Sequence, residues 1–271
     1  MTLTELVRLT LEEDLGPGDL TTEATVSPDA WGSAKIIAKE RLVLSGVAAA
    51  AEVFRQLGAR FLARCAEGAE VAAGEEVATV EGRLQSLLSG ERVALNFLMH
   101  LSGVATHTRR VVEKATVRVV DTRKTTPLLR QLEKQAVRSG GAFNHRFALF
   151  DGILIKDNHI VAAGRIGTAV ARARAAAHHL LKVEVEVENL DELREALDAR
   201  ADVILLDNMD NRTLRAAVLL TAGRALLEAS GNMNAERIAT LGDIGIDMVS
   251  MGGLIHQSRW VDLSMRIDAA V

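Results

Sequence analysis

The chain has 271 residues, 48% hydrophobic and 25% charged, with a formal net charge of -4, which excludes a disordered chain and gives no overall pull toward nucleic acid. Cys65 is the single cysteine and tyrosine is absent, which excludes an intrachain disulfide and a cysteine-based zinc cluster and argues against a stacking platform for single strands. The first residues lack the basic start and apolar run of a secretory signal, and no stretch approaches the ~20 apolar residues of a membrane span, so a cytoplasmic protein with no membrane or nucleic-acid partner is expected.

Leu3, Leu6, Val7, Thr10 and Leu11 recur at helical spacing and predict an amphipathic helix, stopped by Gly16-Pro17-Gly18. Residues 33–82 change to short strands separated by glycine turns, typified by 34–38 and 77–80. Residues 67–77 resemble the hairpin of a biotinyl or lipoyl carrier but lack a central lysine to modify, and so read as a plain structural hairpin. Ser89 is placed to cap a helix over 90–101, with a second helix expected over 106–114.

Beyond Val117, short apolar runs alternate with helical stretches. The predicted strands are 117–121, 153–155, 182–187, 203–207, 225–229 and 248–250, with helices such as 190–199 and 211–221 between them. Glu186, Asp207 and Glu228 follow one another at 21-residue steps, one strand-helix unit each. Such repetition implies a parallel sheet, open or closed into a barrel, and in a barrel function gathers at the C-terminal strand ends.

Residues 123–159 hold seven lysines or arginines against three acids, a local balance of +4 in a chain whose total is -4. Arg130, Lys134 and Arg138 recur at helical spacing and fit a solvated helix face. Arg123, Lys124 and Lys156 are expected at strand ends beside apolar runs, where a cation calls for an anion. Arginine also offers a planar fork that matches carboxylate or phosphate. In the strand Lys182-Val183-Glu184-Val185-Glu186-Val187-Glu188, period two separates valines from carboxylates. Packing the valines under helices turns the three glutamates inward, toward Arg123, Lys124 and Lys156 as candidate partners. Gly140-Gly141, Ser230-Gly231 and Gly252-Gly253 are each placed to bring backbone amides to a phosphate. His178-His179 lacks a third ligand nearby, His100 and His107 suit helix packing, and neither Ser102 nor Ser230 has the flanks of a nucleophile elbow.

At these residues the sequence resembles the quinolinate phosphoribosyltransferase family. The matching blocks are residues 13–21, 91–96, 101–106, 121–127, 144–146, 154–159, 184–189, 206–209 and 228–231. The resemblance implies an N-terminal α/β sandwich over residues 1–115 and an α/β barrel with fewer than eight parallel strands over 116–271, the C-terminal segment packing back on the first domain. It implies a homodimer or larger homo-oligomer in which Arg92 reaches a neighbouring site. The reaction would join quinolinate and phosphoribosyl pyrophosphate, with Mg2+, into nicotinate mononucleotide, pyrophosphate and carbon dioxide, a step of NAD biosynthesis.

By the same resemblance, Arg92, Arg123, His145, Arg146 and Lys156 face quinolinate, while Lys124 and Lys156 neutralise the leaving pyrophosphate. Glu186 and Asp207 hold the ribose hydroxyls and the metal. Thr122, Ser230, Gly231, Asn232, Gly252 and Gly253 complete the substrate contacts, the glycine-flanked ones taking the 5′-phosphate. The catalytic set is then Lys124, Lys156, Glu186 and Asp207. Leu128, Gln135, Ala142 and Asn232 depart from the family pattern, as does the run after Gly252. The rivals are a related transferase acting on another acid, such as nicotinate, and a non-catalytic binding protein of the same fold; the second predicts loss of Lys156, Glu186 or Asp207, and all three are present.

Overall fold

Residues 1–268 are described by the structure, a computed structural model. The chain forms two compact units. One takes Met1–Arg109, Thr126–Gly141 and the segment from Gln257 onward; the other takes Arg110–Thr125 and Ala142–His256.

Helix α1 (Leu3–Leu15) starts in a capping box, Thr2 and Glu5 each accepting from the other's backbone N–H. Its buried stripe is Leu6, Val7 and Leu11. After α2 (Leu20–Thr25), capped by Asp19, come β1 (Trp31–Ala38), β2 (Leu42–Val43), α3 (Val47–Gln56), β3 (Arg60–Ala63), β4 (Glu70–Val71), β5 (Glu76–Arg83) and the helix α4 (Leu84–Val112). Strand β1 pairs antiparallel with β5, and β5 with β3. Alternation along these strands buries Ile36 and Val80, and α3 adds a fully buried Phe54.

The chain continues through β6 (Arg118–Val120), α5 (Arg130–Ser139), β7 (Ile153–Ile155), α6 (Asp157–Ala163), α7 (Ile166–Ala176), β8 (Val183–Val187), α8 (Leu190–Asp198), β9 (Val203–Asp207), α9 (Asn211–Thr221), β10 (Leu226–Ser230), α10 (Ala235–Ala239), β11 (Met248–Ser250), α11 (Gly253–His256) and β12 (Leu263–Ile267). Six of these strands form one parallel sheet in the order β6-β11-β10-β9-β8-β7. Helices α7 and α8 pack on β8 and bury Val183, Val185 and Val187. The glutamates of β8 therefore turn to the inner side. Glu184 on β8 and Glu228 on β10 meet there, although β9 lies between them. Strands two apart in a sheet hold their backbones about 9.5 Å apart, a gap that two long glutamate side chains on the same face can span. Among the described residues β6 and β7 share no ladder; a single bridge, Val120 to Phe143, lines the β6 side of that seam.

Each predicted strand after Val117 is present within a residue or two, and the fold is the expected pairing of an α/β unit with a barrel of fewer than eight strands. Several finer expectations are corrected. The region 33–82 contains a helix, α3, because its four-alanine run leads to Val53 and Phe54 on one buried face. Residues 67–77 are not a hairpin: β4 pairs with β2, whereas β5 pairs with β1 and β3. Glu67 instead takes the N–H groups of Gly46 and Val47 at 3.0 and 3.1 Å, closing the start of α3. The two helices over 90–114 are one helix, and Ser89 lies inside it, bonded to Asp19 at 3.0 Å. Gly103 does not break it; a Cβ there would stand 2.2 Å from the Arg259 carbonyl, so the glycine admits a crossing chain.

A cut at residue 115 does not follow the two units, since residues 126–141 and the C-terminal segment belong with the first. Strand β12 pairs antiparallel with β1, and the expected boundary at residue 271 lies outside the described residues. Helix α5 is amphipathic, burying Leu132, Ala136 and Val137. Its Glu133 is wholly buried, 2.8 Å from His100 Nε2 and 2.9 Å from the Thr126 N–H. Burial alone would raise the Glu133 pKa, but the bonds from His100 and Thr126 outweigh it and hold the carboxylate ionised. Lys134 is only 3% exposed, so the expected solvated face of Arg130, Lys134 and Arg138 is corrected at its middle member. Gly140 is likewise structural. A Cβ there would stand 2.5 Å from Thr108 Cβ and 2.6 Å from the Ala105 carbonyl, so its role is close packing on α4, not a phosphate cradle.

Candidate active site

Every strand of a parallel sheet ends at the same rim, and here all six ends carry polar groups. Thr122, Arg123 and Lys124 follow β6, with the Lys124 N–H donating to Thr122 Oγ1 at 3.0 Å. Lys156 follows β7, Glu186 lies near the end of β8, and Asp207 ends β9. Ser230, Gly231 and Asn232 leave β10, and Gly252 and Gly253 leave β11. A Cβ on Gly252 would stand 2.9 Å from Lys124 Cδ and 3.1 Å from Thr122 Oγ1, so the ends of β6 and β11 close against each other.

At the rim Lys156 Nζ pairs directly with the Glu186 carboxylate, the two side chains being 43% and 15% exposed. Arg123 and Lys124 are exposed, so no desolvation forces them into pairs. The expectation that they serve the inward glutamates is corrected; His145 and Lys156 fill that role. Glu188 is corrected too, being exposed beyond the end of β8, where its N–H donates to Glu192.

The loops after β9 and β10 lock together. Asn232 Nδ2 donates to Asn208 Oδ1 at 3.1 Å, and Asn208 Nδ2 donates to Asp207 at 2.7 Å. Gly231 has φ +89, and a Cβ there would stand 2.1 Å from Asn208 Oδ1, so only glycine admits this contact. Asn232 stands in the left-handed region at φ 49, a conformation asparagine tolerates, which explains how it replaces a glycine. Arg237 reaches the carbonyls of Gly231 and Met209 at 3.1 and 2.6 Å and fixes both loops from outside. Asp207-Asn208 was a candidate pair at a strand end, whereas Arg237 was not among the predicted site residues. Nothing in the sequence around Arg237 signals that it reaches back to these loops.

Below the rim, His145 lies against two buried carboxylates, with Nε2 3.1 Å from Glu184 and 3.6 Å from Glu228. Burial pushes the Glu228 pKa up to about 7, with the Glu184 charge adding to the rise. Burial opposes the charged form of His145, but the Glu184 hydrogen bond and the Glu228 charge prevail and shift it upward. Arg146 is lowered by its own burial and then by the nearby Arg123, which marks two guanidinium groups close together. Glu184 was expected to face inward toward Arg123, Lys124 and Lys156 and meets His145 instead, whereas no role was expected of Glu228. The 21-residue step from Asp207 to Glu228 was the signal that the latter faces inward.

The comparisons agree with one another. Residues 19–102 match the model of the quinolinate phosphoribosyl transferase N-terminal domain, and residues 104–266 match that of the C-terminal domain. The chain belongs to the quinolinate phosphoribosyltransferase family. A probable nicotinate-nucleotide pyrophosphorylase (carboxylating) of Bacillus subtilis is 42% identical over 94% of this chain and 90% of its own length. The counterpart in Synechocystis sp. is 44% identical over 95% and 90%. The crystal structure of NadC from Streptococcus pyogenes superposes with a TM-score of 0.93 at 41% identity, covering 97% of this chain and 95% of that one. The family's members are phosphoribosyltransferases, and the two-unit architecture of this chain is theirs. Arg92, which the family pattern includes, is exposed on α4 in the first unit, whereas the other predicted site residues stand in the second. No helix among the described residues is long and apolar enough to cross a membrane.

Proposed function

We propose that this chain transfers the phosphoribosyl group of phosphoribosyl pyrophosphate to quinolinate with loss of carbon dioxide, giving nicotinate mononucleotide and pyrophosphate. The observation that carries the proposal is the rim itself, where cations suited to an aromatic diacid share one end of the sheet with carboxylates suited to a sugar. Arg123 and Arg146, close enough to perturb each other, take the two quinolinate carboxylates through their planar forks. Lys156 leaves Glu186 for the incoming anions, and Lys124 and Lys156 neutralise the departing pyrophosphate. Glu186, once released, and Asp207 hold the ribose hydroxyls, and their charge favours the oxocarbenium-like ribose of the transition state. The amides of residues 230–232 and 252–253 take the 5′-phosphate.

Glu186 and Asp207 are hard oxygen donors on adjacent strands, and Asp207 is partly exposed. That set suits magnesium, which binds one or two carboxylates and keeps the rest of its shell for water and phosphate oxygens. Bound there, magnesium would supply positive charge to the pyrophosphate. After transfer, the cationic pyridinium ring stabilises the carbanion left at C2 by decarboxylation, so no protein nucleophile is needed. Arg92 acts on a neighbouring subunit's site in a homodimer or larger assembly in the cytoplasm.

Purified protein given quinolinate, phosphoribosyl pyrophosphate and magnesium should release carbon dioxide and nicotinate mononucleotide in equal amounts. Turnover of nicotinate without carbon dioxide would sink the proposal in favour of the related transferase.

A further inference from the structure

We infer that Asp121, Glu184 and Glu228 are positioning residues that act through His145 to hold the Arg146 guanidinium in place for an acidic substrate. The identity of that substrate comes from the function proposed above; the arrangement comes from the barrel interior.

Both ring nitrogens of His145 are engaged by the protein. Nδ1 accepts the Arg146 backbone N–H at 2.7 Å, which fixes the neutral ring as the Nε2–H tautomer. Nε2 then donates toward Glu184 at 3.1 Å, with Glu228 at 3.6 Å behind it. A ring used at both nitrogens has no in-plane donor or acceptor left for a ligand. Its effect on an anion site runs through its neighbour in the chain.

Asp121, wholly buried at the end of β6, grips the same segment from its other side. It accepts from Asn144 Nδ2 at 2.6 Å and from the His145 N–H at 2.9 Å. Three successive residues are thus pinned, and Arg146 projects from the last of them, its Nη1 donating to the Gly152 carbonyl at 3.0 Å. The seam between β6 and β7 makes the pinning necessary, because residues 142–146 cross it with only the Val120–Phe143 bridge for a ladder.

Two buried carboxylates around one imidazole are a poor stability device, since apolar replacements of such clusters are often neutral or stabilising. Glu184 Oε1 and Glu228 Oε1 are buried without a hydrogen-bond partner among the described residues. Unsatisfied groups of this kind call for a functional explanation, and a fully oriented imidazole that anchors Arg146 supplies one.

The test uses the full-length protein and two substrate titrations. Glu184→Ala should raise the quinolinate KM roughly 10- to 100-fold, the scale of a ~1 Å misplacement, while the KM for phosphoribosyl pyrophosphate stays within about twofold. Glu184→Gln keeps an acceptor for the Nε2–H and should restore most of the quinolinate KM. In an Arg146→Ala background, Glu184→Ala should add no further loss, because its effect runs through Arg146. Additive losses, or equal rises in both KM values, would overturn the inference. Should Glu184→Ala fail to fold, the same cycle with Asp121→Asn and the 15N spectrum of His145 in the wild type, followed to a pH at which the ring is neutral, decide: a neutral ring carrying its proton at Nε2 supports the pinning, and a neutral ring carrying it at Nδ1 overturns it. A wild type that turns over no quinolinate would fail the proposed function, and the His145 spectrum would still decide the pinning.

Discussion

Glu184 and Glu186 point to the same side of β8, two residues and about 7 Å apart along the strand, yet their surroundings differ. Glu186 sits at the rim against the half-exposed Lys156, where water screens the pair and an incoming anion can replace the carboxylate. Glu184 sits on the floor, 7% exposed, with a buried imidazole on one side and a second buried glutamate beyond it. One turn of the pleat therefore separates an exchangeable pair from a locked cluster. Charge near the rim is available for chemistry; charge on the floor orients what the rim uses.

The largest effect is expected at Lys156. Lys156→Ala should lower kcat/KM by roughly 10²- to 10³-fold, as loss of a transition-state charge donor does, with little change in Tm because the side chain is half-exposed. A large Tm loss would move Lys156 from the rim to the structural class. Arg123→Ala comes next. Its side chain is exposed, so the fold should persist while quinolinate affinity falls by roughly 10- to 100-fold, the range of ~1.5–3 kcal/mol for charge-assisted bonds. Unchanged affinity in a binding titration would remove Arg123 from the site.

The floor should show itself in the pH dependence of stability. Glu228 has its pKa raised from 4.5 to about 7, so the folded state holds that proton more tightly than the unfolded chain. Stability should be greatest below pH 4.5 on this account and fall as pH rises toward about 7. The slope is at most about 1.4 kcal/mol per pH unit for one proton. His145, also raised, contributes in the same direction, its stabilisation lost as pH rises through its folded value. Denaturant titrations across this window should find Glu228→Gln flatter than the wild type; equal slopes would deny the buried acid its role. The smallest effect is expected from Leu128→Gly, which touches neither layer. Leu128 is 69% exposed with φ 68, so glycine relieves left-handed strain without losing packing. A net gain of about 0.5–1 kcal/mol in chemical denaturation is expected after the added freedom of the unfolded chain is counted.

Much of the second unit was legible in the sequence because its signals are local. A short apolar run and the helix after it declare a strand-helix unit, and period two in Val183-Glu184-Val185-Glu186-Val187 separates a wall from an interior. The first unit was less legible. Helix α3 hid in an alanine run, and the two expected helices before residue 115 were one, because propensity does not report where a crossing chain excludes a side chain, as at Gly103. Residues 126–141 lie between barrel strands in sequence, and only the burial of Leu132, Glu133 and Val137 assigns them to the first unit.

The sequence by itself determined the family, the parallel strand-helix order and the acidic and basic residues that such chemistry needs. Those follow from composition, periodicity and motif, which are properties of neighbours along the chain. Tertiary structure alone decided which cations are exposed, that Lys156 pairs with Glu186 while His145 takes Glu184 and Glu228, and that Lys134 and Gly140 are packing residues. These depend on which groups lose water together, and the parallel sheet brings to one face side chains separated by 39 and 44 residues along the chain, His145 with Glu184 and Glu184 with Glu228. Burial then sets their charge, because the field of a neighbour counts most where solvent is excluded.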